Sequence, residues 1–163
     1  MIYFDLDGVL RDLYGAAKIN PKKWNCYVKG IPYVDYIFTH KKLLTAAEPT
    51  EYLTALNKSS MKINIITNQP REWVIPTIKW MHKNINNLGI VIFDPVKLPL
   101  LKVNDLLIED YPFFNDYSQV LVIDRLYNRD IKLQHKRIKS PSQLINELYT
   151  FKRIMKERSY FND

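Results

Sequence analysis

Residues 2–12, IYFDLDGVLRD, decide the fold. Ile2 to Leu6 is a short run of strand-forming residues that ends in two carboxylates one residue apart, Asp5 and Asp7, followed by Gly8. Four more runs share its apolar character: Ile63 to Ile66, Ile90 to Phe93, Leu106 to Ile108 and Val120 to Ile123. A parallel sheet buried on both faces reads as such continuous runs, whereas a half-exposed antiparallel strand alternates apolar and polar residues. The segments between them supply helices. Pro49 to Lys58 reads as a short helix with Leu53 and Leu56 inward. After Pro76, the set Ile78, Met81, His82 and Ile85 recurs at helical spacing until Asn87 to Gly89 stops it. Ser140 and Pro141 give an N-cap and a first-turn proline to a C-terminal helix striped by Leu144, Leu148, Phe151 and Met155. The pattern predicts an α/β fold, a three-layer α/β/α arrangement around a central, mostly parallel, five-stranded sheet.

Composition excludes several classes. Only four glycines stand among 163 residues, and Gly8, Gly15, Gly30 and Gly89 are too scattered for a glycine-rich phosphate cradle. Cys26 is the single cysteine, and His40, His82 and His135 lie far apart, so disulfide scaffolds and structural zinc sites drop out. Cys26 reads as a small buried residue. With 47% hydrophobic and 25% charged residues the chain has ordinary globular usage and length for one core. The opening MIYFDLDGVL lacks the basic flank and long apolar core of a signal peptide, and a cytoplasmic protein with no membrane partner is expected. The formal charge of +7 favours anionic partners without selecting one, and the basic stretch Lys132 to Lys139 reads as a solvated surface in preference to a nucleic-acid patch.

Residues 11 to 46 break the alternation of strand and helix. At 36 residues, this segment is far longer than a βα loop, and it holds Tyr14, Trp24, Tyr27, Tyr33, Tyr36 and Phe38. An insertion that covers a site or forms a small subdomain is expected there.

The chemistry gathers at strand ends. Asp5 and Asp7 leave the first strand, and Glu109 and Asp110 follow the run Asp105 to Ile108, so all four fall at the carboxyl edge of the sheet, where open α/β sheets place their ligand crevice. Gly8 permits the turn that lets both first-strand acids address one centre. Such acids repel one another unless a cation joins them, and Mg²⁺ suits a few carboxylates with open positions for water or phosphate oxygen. A third strand ends in Thr67 and Asn68, and Lys97 or Lys102 precedes the fourth.

Together these residues resemble the haloacid dehalogenase superfamily of aspartate-based phosphohydrolases. Its order is DxDG, a hydrophobic strand ending in Ser or Thr, a lysine, then an acidic pair after a hydrophobic strand. Within it, DLDGVLRD (5–12), DLLIEDYP (105–112) and LVIDRLYNR (121–129) are similar to segments of the small 5'(3')-deoxyribonucleotidases. Departures are Glu109 for the first acid of the pair, Asn68 after Thr67, Leu126 for a proline, and a shorter insertion. The resemblance implies a catalytic core of residues 1–10 and 47–163 with a small cap at 11–46.

It further implies that Asp5 is the nucleophile forming an aspartyl-phosphate and Asp7 the general acid and base. Asp5, Asp7 (through its backbone carbonyl) and Asp110 are the expected Mg²⁺ ligands, and Thr67, Asn68 and Lys97, or else Lys102, the phosphate-binding residues. Glu109 is expected to orient Lys97 or a metal-bound water. Trp24, Tyr27, Tyr33 and Tyr36 are candidates to stack on a nucleobase, or else form the insertion's own core. The expected activity is Mg²⁺-dependent hydrolysis of nucleoside or deoxynucleoside monophosphates. The alternatives are a phosphatase for phosphorylated nucleic-acid ends or another small phosphomonoester, and a catalytically silent nucleotide-binding or regulatory module.

Overall fold

A computed structural model describes residues 1–23, 26–114, 117–132 and 137–160. Its centre is a six-stranded sheet built from β1 (Ile2–Phe4), β4 (Ile63–Thr67), β5 (Leu88–Phe93), β6 (Leu106–Glu109), β7 (Val120–Ile123) and β8 (Arg137–Ile138). The insertion supplies a separate pair, β2 (Tyr27–Val28) and β3 (Ile31–Pro32). All pairings in the large sheet are parallel, in the order β5-β4-β1-β6-β7-β8. The fold is α/β, as the apolar runs predict. Five strands are expected from the sequence and six are present. β8 escapes a sequence reading because it is two residues long and offers one apolar side chain, Ile138, inside a basic stretch. Pairing of Ile123 with Ile138 nevertheless buries Ile138 completely.

The chain enters the sheet at its middle, moves out through β4 to β5, and returns past β1 to β6, β7 and β8. The strand order therefore reverses between β1 and β6. Loops leaving two such strands run in opposite directions and open a crevice at their carboxyl ends. One face of the sheet packs Ile2, Phe4, Ile63, Ile65, Leu106 and Ile108 against α4 (Glu51–Lys58), α5 (Val74–Asn84) and α6 (Pro141–Tyr160). The other face, with Tyr3, Ile66, Leu107, Val120 and Val122, is covered more thinly, by 3-10 turns at Leu98–Leu100 and Pro112–Phe114 that carry the returns to β6 and β7.

Local signals place the helices. The Thr50 hydroxyl accepts the Leu53 amide at 3.3 Å and donates to the Val9 carbonyl at 2.6 Å, so it caps α4 and ties it to the loop after β1. Ser140 caps α6 through the Gln143 amide at 3.2 Å, and Leu144 and Leu148 are fully buried, with Phe151 packed against them. On α5 the buried face is Thr77, Trp80 and Met81; His82, grouped with the apolar set by spacing, is exposed.

Residues 11–46 hold α1 (Leu13–Ala16), the β2–β3 pair, α2 (Tyr33–Thr39) and α3 (Leu43–Ala46). Leu13, Ile37, Leu44 and Ala47 form a small core of their own with Trp73 from the segment after β4. The two stems of this insertion run side by side: the Asp12 amide donates to the Glu48 carbonyl at 3.0 Å and Thr50 to Leu10 at 2.9 Å. Among the described residues, no helix is long and apolar enough to cross a membrane.

Candidate active site

Asp5 follows the last residue of β1, and its amide is still bonded to the Ile108 carbonyl of β6 at 2.8 Å. The side chain is 7% exposed. Lys97 reaches it from the loop after β5, with Nζ 2.7 Å from Asp5 Oδ1 and 2.7 Å from Glu109 Oε2. The second oxygen of Glu109 accepts the backbone amides of Asp110 and Tyr111 at 3.1 and 3.3 Å. Both Glu109 oxygens are thus occupied, one of them by Lys97 beside Asp5. Lys102, the other lysine candidate, is exposed.

Asp110 lies on the opposite wall. Tyr127 donates its phenol to Asp110 Oδ2, and the Asn128 amide donates to the Asp110 carbonyl at 2.8 Å and to the Ile123 carbonyl at 3.0 Å. Asn128 therefore ties the ends of β6 and β7 together. Gly8, at φ +82°, passes directly beside Asp110 in a conformation that favours glycine. Arg125 donates Nε to the Gly8 carbonyl at 2.7 Å and steadies this loop.

Asp5, Glu109 and Asp110 each present a carboxylate oxygen, and the three lie within 4.8 Å of one another. Burial pushes Asp5 up to about 7, with Glu109 adding repulsion and Lys97 opposing it. Burial likewise raises Asp110 to about 6, reinforced by Asp5. For Lys97, burial disfavours the charged form, but the two acids outweigh it and leave the ammonium above its ordinary range. A site of hard oxygen donors whose negative charge is only partly offset fits Mg²⁺. Asp5 and Asp110 could hold it, while Glu109 is bonded to Lys97.

Asp7 stands in a different setting. Arg11 grips both its oxygens, Nε to Oδ1 at 2.6 Å and Nη2 to Oδ2 at 3.0 Å, and Gln69 Nε2 adds a third bond to Oδ2 at 2.6 Å. The guanidinium has no exposed surface and uses its remaining hydrogens on the Leu44 carbonyl, the Thr77 hydroxyl and Gln69 Oε1, at 3.1, 3.2 and 3.4 Å. A guanidinium carries five N–H donors, and all five are used here. Gln69 also donates to Thr67 Oγ1 at 3.1 Å, joining the end of β4 to the same network. Asn68 beside it is exposed.

The aromatic candidates separate. Tyr33 is stacked on Tyr14 with ring centroids 4.3 Å apart and planes 13° apart, and Tyr14 leans on Tyr127 at 4.8 Å. A row of tyrosines thus runs from the insertion to the Asp110 wall. Tyr36 is stacked on His40, Tyr27 is 68% exposed, and Trp24 lies outside the described residues. Cys26 is half-buried, and burial pushes its thiol up.

Arg11, Gln69, Thr77, Tyr127 and Asn128 carry the site without having been singled out from the sequence. Tyr127 and Asn128 sit in the quoted motif LVIDRLYNR, which offers a signal for them, whereas Arg11, directly after the apolar stretch of DLDGVLRD, looks like a surface boundary. Gln69 and Thr77 act through tertiary contact and have no local signature. One cavity, about 400 Å³, lies at the opposite edge of the sheet near Met1, Met61 and Met155. Another, about 260 Å³, is lined by Gly8, Tyr14, Arg125 and Tyr127, among others.

No family model matches the chain, and no curated protein matches it. Among solved structures, the chain is similar to a protein assigned as a beta-phosphoglucomutase from Thermotoga maritima. The identity is 14%, the TM-score 0.48, and the alignment covers 91% of this chain and 98% of that one.

Proposed function

We propose that this chain is a Mg²⁺-dependent phosphomonoesterase that works through an aspartyl-phosphate on Asp5 and takes nucleoside or deoxynucleoside monophosphates. The observation that carries the reading is the pairing at Asp5: a buried carboxylate with a lysine 2.7 Å away and a second acid, Asp110, close enough to share a cation. Asp5, Asp110 and the Asp7 carbonyl would hold Mg²⁺, which would supply positive charge against a phosphoryl oxygen.

In the first step an Asp5 oxygen bonds to phosphorus and the bond to the leaving oxygen breaks with its electron pair; Asp7, protonated on an oxygen that has given up its Arg11 or Gln69 bond, delivers that proton to the leaving oxygen. An alcohol departs. In the second step water attacks the same phosphorus, Asp7 takes the water proton, and Asp5 is released as a carboxylate with inorganic phosphate. Lys97 holds phosphoryl oxygens as a fixed charge. Thr67 accepts from Gln69 and so keeps its hydroxyl proton to donate to the phosphoryl group. Phosphoryl transfer needs chiefly positioning and charge, which explains how four glycines suffice. The preference for nucleotides rests on the similarity of the three quoted motifs and on the aromatic insertion, where the exposed Tyr27 ring is free to meet a base.

Phosphate release should be measured across nucleoside monophosphates, sugar phosphates and 3'- or 5'-phosphorylated oligonucleotides, with and without Mg²⁺. Release from mononucleotides that needs Mg²⁺ and vanishes in Asp5→Asn supports the reading. Preference for oligonucleotides moves the substrate to nucleic-acid ends, and no release from any monoester leaves a binding module.

A further inference from the structure

Gln69 follows β4, and its carboxamide is bonded on four sides. Nε2 donates to Asp7 Oδ2 at 2.6 Å and to Thr67 Oγ1 at 3.1 Å, while Oε1 accepts from Thr77 Oγ1 at 3.3 Å and Arg11 Nη2 at 3.4 Å. These partners fix which end of the amide is which. Exchanging the two atoms would set a carbonyl oxygen against the Asp7 carboxylate and an amide N–H against the Arg11 guanidinium. One proton in this network is left over. Thr67 Oγ1 accepts from Gln69, but its own hydroxyl proton has no acceptor among the described residues. Thr67 is only 1% exposed, and buried polar groups are almost always paired. The residue closes β4 beside β1, two positions past the partner of Phe4, so it stands at the same carboxyl edge of the sheet as Asp5.

We infer that Gln69 is a positioning residue for phosphate binding: its amide fills the acceptor side of Thr67 and stands between that hydroxyl and Asp7, which reserves the Thr67 proton for an incoming phosphoryl oxygen. Thr67 Oγ1 and Asp7 Oδ2 hang on the same Gln69 nitrogen, so an anionic acceptor lies close to the hydroxyl. Without the amide, the hydroxyl turns freely about its C–O bond and that carboxylate draws its proton. The contribution of Thr67 to phosphate affinity is therefore conditional on Gln69, although Gln69 touches no part of the substrate. This inference rests on the phosphatase reading and deepens it at the phosphate subsite.

A double-mutant cycle on Gln69 and Thr67 separates this role from general support of the fold. The readout is the competitive inhibition constant of inorganic phosphate, measured against p-nitrophenyl phosphate hydrolysis in Mg²⁺. Thr67→Val should raise that constant about tenfold, the loss of one hydrogen bond to a charged group. Gln69→Met, similar in length and without hydrogen-bonding groups, should raise it about fivefold when Thr67 is present and less than about twofold in the Thr67→Val background. Thr67→Ser keeps the hydroxyl and should keep the full response to Gln69→Met. Any effect that reaches phosphate through Asp7 or through the fold appears in both backgrounds and cancels in the cycle. An equal rise in both backgrounds therefore overturns the inference, as does no rise in either. If Gln69→Met does not fold, Gln69→Asn, one methylene too short to span both acceptors, takes its place with the same expectations. Wild type that releases phosphate from no monoester is a different failure: the phosphatase reading is then wrong, and the role of Gln69 falls with it.

Discussion

The Asp110 carboxylate occupies the space that a side chain on residue 8 would need: a Cβ built on Gly8 meets Asp110 Oδ2 and the Tyr127 hydroxyl inside contact distance. Gly8 is also at φ +82°. Gly8→Ala should therefore combine backbone strain with displacement of a proposed metal ligand. Stability should drop by about 2 kcal/mol or more. Activity should fall roughly a hundredfold, the scale on which small misplacements act. Melting temperature and phosphate release with Mg²⁺ read the two effects.

Lys97 and Lys102 are separated by their surroundings. Lys97→Met leaves Asp5 and Glu109 buried without their shared cation, a loss of about 3–5 kcal/mol. Lys102→Met alters an exposed side chain and should stay within about 0.5 kcal/mol. Denaturant unfolding of the two variants distinguishes them. Wild-type activity in Lys97→Met would remove it from the phosphate-binding set.

Arg11 acts through Asp7, so its replacement should register where proton delivery matters. Arg11→Lys keeps the charge but loses the two-pronged grip on both Asp7 oxygens. Its kcat should fall more on an alkyl phosphate, whose leaving oxygen needs a proton, than on p-nitrophenyl phosphate, whose leaving oxygen does not. A uniform loss on both would make Arg11 a structural residue only. Thr77→Val, which removes one Arg11 partner, should show the same pattern more weakly.

The acid cluster makes stability depend on pH with a definite sign. Asp5 and Asp110 rise to about 7 and about 6 in the folded chain, from about 4 when unfolded. The folded state then binds more protons across that window, so the contribution of these two acids to stability is full below about pH 4 and is lost as pH rises to 7. Metal-free protein should melt higher at pH 5.5 than at pH 8. Added Mg²⁺ should raise the melting temperature more at pH 8, because it competes with those protons. Calorimetry in chelator and in Mg²⁺ checks both.

How much of this was legible in the sequence differs by element. β1, β4, β6 and β7 announced themselves as apolar runs because both of their faces are buried. β8 did not, since a two-residue edge strand owes its existence to β7. The acids and Thr67 were readable because strand ends converge wherever a parallel sheet reverses its order. Arg11 was not: a charged residue directly after an apolar stretch looks like a surface boundary. Only the return of the chain at Leu44 and Thr77 encloses it. The tyrosines were visible as a group, yet which ring faces are covered depends on tertiary stacking that residue spacing does not encode.

Asp5 is the proposed nucleophile. The most direct test is to mix the protein with a mononucleotide and Mg²⁺, quench in acid during turnover, and map phosphorylation by mass spectrometry. A phosphoryl group is expected on the peptide bearing Asp5, absent from Asp5→Asn. Steady phosphate release with that peptide unmodified, or release by Asp5→Asn at the wild-type rate, would contradict it.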